Sequence, residues 1–259
     1  MLFVPRNGKG RSCGVVAAAV LTSTLPAAWA FADDAGGALK LNFGNDSFNW
    51  LVGQDGQTEY TDDGYVFSGN DYSSGWNMNW EVMSSGSEFI QSITATFSII
   101  NTTSSTQFYS LYFFDPVMMT TPDSLVGGSV GGYVVDINGD GAMLSSGGAG
   151  SAIYSGFVDA SEFDPLNGDI VGQLLQNSTL EVGSYLTGNL TSESFGNVPT
   201  IPGQEGPGID ENIGFGLMFE LSAGDAAGFS ASFAARVPGP ATVGLLGVAG
   251  LFGGRRRRR

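Results

Sequence analysis

The sequence predicts an all-β fold, either an antiparallel β-sandwich or a jelly roll. Apolar and polar residues alternate with a period of two along several short segments, which is the pattern of a strand with one buried face. Segments rich in Gly, Asn, Asp and Ser separate these runs and favour turns. Short alternating strands joined by many turns, without long amphipathic helical patterns, indicate layered antiparallel sheets.

Alternation is clearest in Ser92–Ile99, where four apolar side chains share one face and four hydroxyl side chains share the other. Gly214–Leu221 and Gly228–Ala235 repeat the pattern, with two Phe on the apolar face of each. Because the intervening Ser222–Gly228 has turn chemistry, we expect these two strands to pair as a hairpin.

Six further strands are expected along the chain. Pro116 is expected to end the strand that precedes it, because Pro cannot donate to a β ladder. The segment 170–175 could instead begin a short helix. The six strands are Gly64–Phe67, Phe108–Phe114, Tyr133–Ile137, Ala152–Val158, Ile170–Leu175 and Thr179–Val182.

The charge distribution separates the body of the chain from its ends. The protein has 25 acidic and 10 basic residues, a net charge of −15 at pH 7. All the acidic residues lie within residues 31–236, where Lys40 and Arg236 are the only basic residues, which leaves a charge of −23. Nucleic acid is therefore excluded as a partner, because binding phosphates needs Lys and Arg.

Residues 31–236 are expected to form one extracytoplasmic domain.

Composition also restricts catalysis. The chain has no His, and its single Cys, Cys13, lies in a predicted leader, so a Ser-His-Asp triad and a thiol nucleophile are excluded from the mature protein. We therefore expect a non-enzymatic protein. A polysaccharide-active hydrolase that uses two carboxylates is a less favoured alternative. Its candidate groups are Glu81 with Glu88, or Asp159 with Glu162 and Asp164.

Residues 1–30 have the three parts of a secretory signal peptide. Three basic residues precede the apolar run Cys13–Leu25, and Ala28 and Ala30 form the small-residue pattern that signal peptidase cuts. An uncleaved membrane anchor is the alternative interpretation. We therefore expect residues 31–236 to be exported.

The segment 237–259 also has three parts. Pro238, Gly239 and Pro240 precede the apolar run Ala241–Gly254, which as a helix would rise about 21 Å, less than the ~30 Å of a bilayer core. Positive charge after such a run is retained on the cytoplasmic side, which leaves the body outside. The basic residues are Arg255, Arg256, Arg257, Arg258 and Arg259.

This order of elements resembles the PEP-CTERM protein-sorting signal, with Gly239 where the family motif has Glu. The resemblance covers only Val237–Arg259. It implies an exosortase-type membrane enzyme as partner, transient anchorage in the inner membrane, and final placement at the cell surface or outside the cell. It also implies association with exopolysaccharide or biofilm matrix. A short tail anchor with an accidental Pro pair is the alternative.

One segment matches the first half of a calcium-binding loop. Asp136, Asn138 and Asp140 fit the pattern D-x-N-x-D-G, but the twelfth position, which should be acidic, is Gly147. The strand-like residues before Asp136 favour a simple hairpin turn at 138–141. A partial Ca²⁺ site at these three residues is the alternative, and no other cofactor is expected.

Residues 50–80 combine aromatic and polar side chains. Packing in the core is the favoured role for these rings. Stacking on sugars is the alternative, and it would make the protein a carbohydrate-binding module. The rings are Trp50, Trp76, Trp80, Tyr60, Tyr65 and Tyr72.

Overall fold

The computed structural model describes residues 37–87, 89–117, 120–160, 167–197 and 202–236, which form β-strands and no α-helix. Within these ranges no helix has the length and apolar character needed to cross a membrane. The strands are β1 (Ala38–Phe43), β2 (Asp46–Leu51), β3 (Gln57–Thr61), β4 (Gly64–Tyr72), β5 (Trp76–Gly86), β6 (Ile90–Asn101), β7 (Gln107–Pro116), β8 (Ser124–Val135), β9 (Ala142–Ser145), β10 (Ala152–Val158), β11 (Asp169–Gln176), β12 (Thr179–Val182), β13 (Thr187–Phe195), β14 (Gln204–Gly206), β15 (Asn212–Leu221) and β16 (Ala226–Arg236).

The strands form two antiparallel sheets, which confirms the predicted all-β sandwich. Sheet A has the order β11-β10-β15-β7-β1-β2, with β9 beside the end of β15 and β12 beside β9. Sheet B has the order β13-β8-β16-β6-β5-β4-β3, with β14 beside the start of β8. The segment 170–175 lies in strand β11, so its interpretation as a helix was wrong.

The core lies between the facing sheets and is filled largely by aromatic rings. On β5 every second side chain is buried, from Trp76 to Val82, as period-two alternation requires. Phe219 of sheet A and Phe229 of sheet B meet across the core with ring centroids 4.7 Å apart. Burying a side chain of this size contributes about 1.5–3 kcal/mol, so rows of such residues hold the two layers together.

The predicted hairpin of the last two strands is wrong. β15 pairs with β7, β10 and β9 in sheet A, whereas β16 pairs with β6 and β8 in sheet B. Residues 222–225 therefore cross from one sheet to the other. The alternation of apolar and polar residues shows which side chains of a strand are buried, but it does not show which strand is its hydrogen-bonded neighbour. Two strands in opposite sheets that face the same core therefore have the same pattern as two strands of a hairpin.

Strand β7 continues beyond its predicted end at residue 114. Pro116 is in register with Asn212 of β15, and the Val117 N–H donates to the carbonyl oxygen of Glu211 at 3.0 Å. Backbone N–H groups alternate in direction along a strand. The Pro116 nitrogen therefore points away from β15, towards the side where pairing with β1 has already ended at Phe114. The missing N–H leaves no ladder bond unmade.

The predicted hairpin turn at 138–141 is also wrong, because β8 and β9 lie in different sheets. At this end of the sandwich four connections cross between the layers: 102–106, 136–141, 183–186 and 222–225. Hydrogen bonds tie them together. The Asn101 Nδ2 donates to the Leu221 carbonyl oxygen at 3.0 Å, and the Asp136 N–H donates to the Leu186 carbonyl oxygen at 3.0 Å.

Candidate functional site

Three carboxylates come together where two of these crossing connections meet. Asp136 and Asp140 lie in the connection after β8, and Asp225 lies in the connection before β16. Each side chain offers a carboxylate oxygen within 4.8 Å of the others. Asp136 and Asp225 are buried, whereas Asp140 is exposed to solvent. The arrangement has the oxygen donors that a Ca²⁺ ion uses.

Backbone N–H groups hold two of these carboxylates in place. Asp136 accepts hydrogen bonds from the N–H of Gly139 at 2.9 Å and of Tyr185 at 2.5 Å. Asp225 accepts one from the Ile137 N–H at 3.3 Å and another from the Ser222 hydroxyl. Hydrogen bonds from the loops therefore hold these oxygens facing one another.

The two buried carboxylates differ in their electrostatics. Burial opposes ionisation of Asp136, but hydrogen bonds from the backbone of Tyr185, Gly139 and Gly141 outweigh it and lower its pKa below the usual range. Burial raises the pKa of Asp225, and the neighbouring charge of Asp136 raises it further. Like charges forced together disfavour ionisation of one partner, and a divalent cation would remove this repulsion.

The structure brings the carboxylates of Asp136 and Asp140 together, and the side chain of the third predicted calcium ligand, Asn138, forms hydrogen bonds within the loops. The Asn138 Nδ2 donates to the Ala223 carbonyl oxygen at 2.9 Å, and its Oδ1 accepts from the Asp140 N–H at 3.1 Å. The third carboxylate, from Asp225, was missed by the sequence reasoning. No local motif could have revealed it, because it reaches the cluster only through the crossing between sheets.

Core packing, the favoured role of the aromatic residues between 50 and 80, is confirmed for the three Trp. Trp76 and Trp80 are buried, and Trp50 is buried with its Nε1 donating to Asp71 Oδ2 at 2.9 Å. Tyr65 is also buried, whereas Tyr60 and Tyr72 are exposed. The Trp rings are therefore not available to stack on a sugar.

The carboxylates suggested for hydrolysis are only partly within the described residues. Asp159 is described, and its Oδ1 accepts hydrogen bonds from the backbone N–H of Asp210 at 2.9 Å and of Glu211 at 2.7 Å. It therefore orders the connection that leads into β15. Glu81 is exposed on β5. Outside the described residues lie Glu88, Glu162 and Asp164.

A groove of about 720 Å³ lies on the outer face of sheet B. Strand register places Asn189, Tyr133, Gly228, Ser98 and Asn79 in one row across five adjacent strands, from β13 to β5. Such a volume is within the range of ~300–1,000 Å³ that ligand sites occupy. We call these five residues the first row.

A second row lines the groove beside the first. It contains Gly131, Ser230, Thr96 and Glu81, which are opposite one another on β8, β16, β6 and β5. The sequence reasoning missed both rows. Each strand contributes only one or two small or polar residues to the groove, so the surface is recognisable only once the register is known.

The residues of the two predicted processing signals lie outside the described residues. They are Ala28 and Ala30 at the leader, Pro238, Gly239 and Pro240 in the sorting motif, and Arg255–Arg259. No protein-family model matches the chain, and no curated protein matches it either.

Proposed function

We propose that this protein is a non-enzymatic component of the cell surface or extracellular matrix, exported by its leader and processed by an exosortase-type enzyme at residues 237–259. The three-part order of that segment carries the proposal. The fold is compatible with it, because the last strand, β16, ends at Arg236, directly before the proposed sorting segment. A cut after this residue would leave every described strand intact.

Each part of the segment has a physical role in this proposal. Pro238 and Pro240 keep the cut site extended, since Pro lacks a backbone N–H and disfavours a helical residue before it. The apolar run 241–254 holds that site at membrane depth, and the terminal arginines stop translocation. The catalytic groups belong to the membrane enzyme. This chain supplies the substrate segment and the β-sandwich that is delivered.

The experiment is the intact mass of the protein recovered from the native envelope fraction. The expected mass lacks both the leader and most of the segment 237–259. Deletion of Arg255–Arg259 should leave the C-terminus unprocessed or release the protein without membrane retention. A matched control replaces the five arginines with lysines, which preserves the charge and should preserve processing. Recovery of the full chain from the cytosol with both termini would contradict the proposal.

A further inference from the structure

We propose that the groove on the outer face of sheet B binds an uncharged polysaccharide chain, with Tyr133 as the stacking platform and Asn79 and Asn189 as hydrogen-bonding partners of sugar hydroxyls. This inference goes beyond the proposed export and does not depend on it.

The groove exists because the middle of sheet B carries very small side chains. Gly131 and Gly228 lie on the central strands β8 and β16, with Ser230 and Ser98 beside them. Larger side chains on β13 and β5 form the two sides. Five strands span about 19 Å, from four spacings of about 4.8 Å, which is wide enough for a glycan chain to lie across the sheet.

Tyr133 lies over the floor of this groove. A Cβ added to Gly228 would be 2.3 Å from the Tyr133 Cζ, so the ring rests on the backbone of that glycine. The side chain is nevertheless 39% exposed, which leaves part of the ring open to solvent. An aromatic surface supported from below and free above suits the C–H face of a pyranose ring.

Polar side chains around the ring are free to bind a ligand. Within the described part of the chain, the side chains of Asn79, Asn189 and Ser98 make no hydrogen bond. Elsewhere on the same face the hydroxyls satisfy one another, as the Oγ atoms of Ser129 and Ser232 do at 2.7 Å. The groove therefore offers donors and acceptors without a hydrogen-bond partner among the described residues, as sugar hydroxyls require.

Charge selects an uncharged glycan over an anionic polymer. Among the described residues that line the groove, Glu81 supplies the one carboxylate and none is a Lys or Arg. The chain as a whole carries −15. Uronic acids, sulfated glycans and nucleic acids would be repelled and would find no guanidinium or ammonium partner.

A peptide is a less suitable occupant. Extended peptides bind by adding to a free sheet edge, where backbone groups are unpaired. The groove lies instead over β8, β16 and β6, and each of these strands pairs with a neighbour on both sides. Recognition must therefore come from side chains, and those of the two rows are hydroxyls, amides, the Tyr133 ring and the Glu81 carboxylate.

Affinity electrophoresis of the full chain tests the proposal. The gels contain hydroxyethylcellulose, dextran or galactomannan as neutral probes, and alginate as the anionic probe. We expect at least one neutral polysaccharide to retard the protein and alginate not to. Tyr133→Ala should weaken binding by about tenfold, whereas Tyr133→Phe, which retains the ring, should bind nearly as the parent does.

Phe108→Ala is the matched control, because Phe108 lies in sheet A and has a similar exposure of 44%. It should bind as the parent does. Asn79→Ala and Asn189→Ala keep the test valid if Tyr133→Ala fails to fold, and each should also weaken binding. Lack of retardation in all three neutral gels would overturn the proposal. Retardation by alginate, binding of a basic peptide in the groove, or equal binding by the groove variants would overturn it as well.

Discussion

The Tyr65 hydroxyl of sheet B donates a hydrogen bond to the Asp115 carboxylate of sheet A across 2.5 Å of the buried core. Ser84 Oγ and Gln91 Nε2, both also in sheet B, donate to the other carboxylate oxygen at 2.5 and 2.6 Å. Burial raises the pKa of Asp115, although these three hydrogen bonds act to lower it. Burial also raises the pKa of Tyr65, which keeps its hydroxyl a donor.

Removing the Asp115 side chain should destabilise the protein strongly. Asp115→Ala removes the carboxylate that accepts from the Tyr65 and Ser84 hydroxyls, whereas Gln91 Nε2 keeps its hydrogen bond to the Pro116 carbonyl oxygen. Asp115 is only 2% exposed, so water cannot readily replace its side chain. We expect a loss of about 2–5 kcal/mol in the free energy of unfolding. Urea denaturation followed by tryptophan fluorescence measures it. Asp62→Ala, in the exposed turn between β3 and β4, should change stability by less than about 0.5 kcal/mol.

Asp115 should also make stability depend on pH. Its pKa in the folded state is raised above the ordinary value of 3.8, so the folded state binds the proton more tightly than the unfolded state. Its contribution to stability is then fully present below pH 3.8 and falls as the pH rises through the folded pKa. The free energy of unfolding of the parent minus that of Asp115→Asn should fall as pH rises. Urea titrations from pH 3 to 7 measure both values. A signed difference that rises with pH would refute this assignment.

The calcium prediction is testable by heat denaturation with millimolar Ca²⁺ or with a chelator. If the cluster binds calcium, the ion should raise the melting temperature by about 3 °C or more, because ligands that bind only the native state stabilise it. The combined change of Asp136→Ala and Asp140→Ala should abolish the increase. A matched control changes Asp62 and Asp63, which lie in an exposed turn, and should retain it. Equal melting temperatures of the parent with and without calcium would contradict the prediction.

Asn101 should be essential for the end of the sandwich where the connections cross. Its fully buried Nδ2 donates to the carbonyl oxygens of Ser105, Leu221 and Ser222 at 2.8–3.0 Å. Asn101→Ala leaves these acceptors unsatisfied and should cost about 2–3 kcal/mol of unfolding free energy in urea. Asn77→Ala, at an exposed position of β5, should have little effect. A near-neutral result at Asn101 would show that water replaces the amide.

The local sequence pattern was sufficient to predict where strands lie, but not which strands pair with each other. The bounds of β10 and β12 were predicted to the residue, because alternation and flanking turns are local properties. The partners of β15 and β16 were not, since a strand with one buried face fits either sheet. The same limit explains the site. Asp136 and Asp140 belong to one motif, whereas Asp225 joins them only through the topology.

The position of the last two strands has a consequence for how the chain matures. β15 lies between β7 and β10, and β16 lies between β6 and β8. Both layers therefore lack an interior strand until residues 212–236 are available for pairing. If the protein is exported as we propose, these long-range pairings would form slowly and late, so the chain would stay unfolded through most of its translocation. The sandwich could then close only after residue 236 has left the translocation pore.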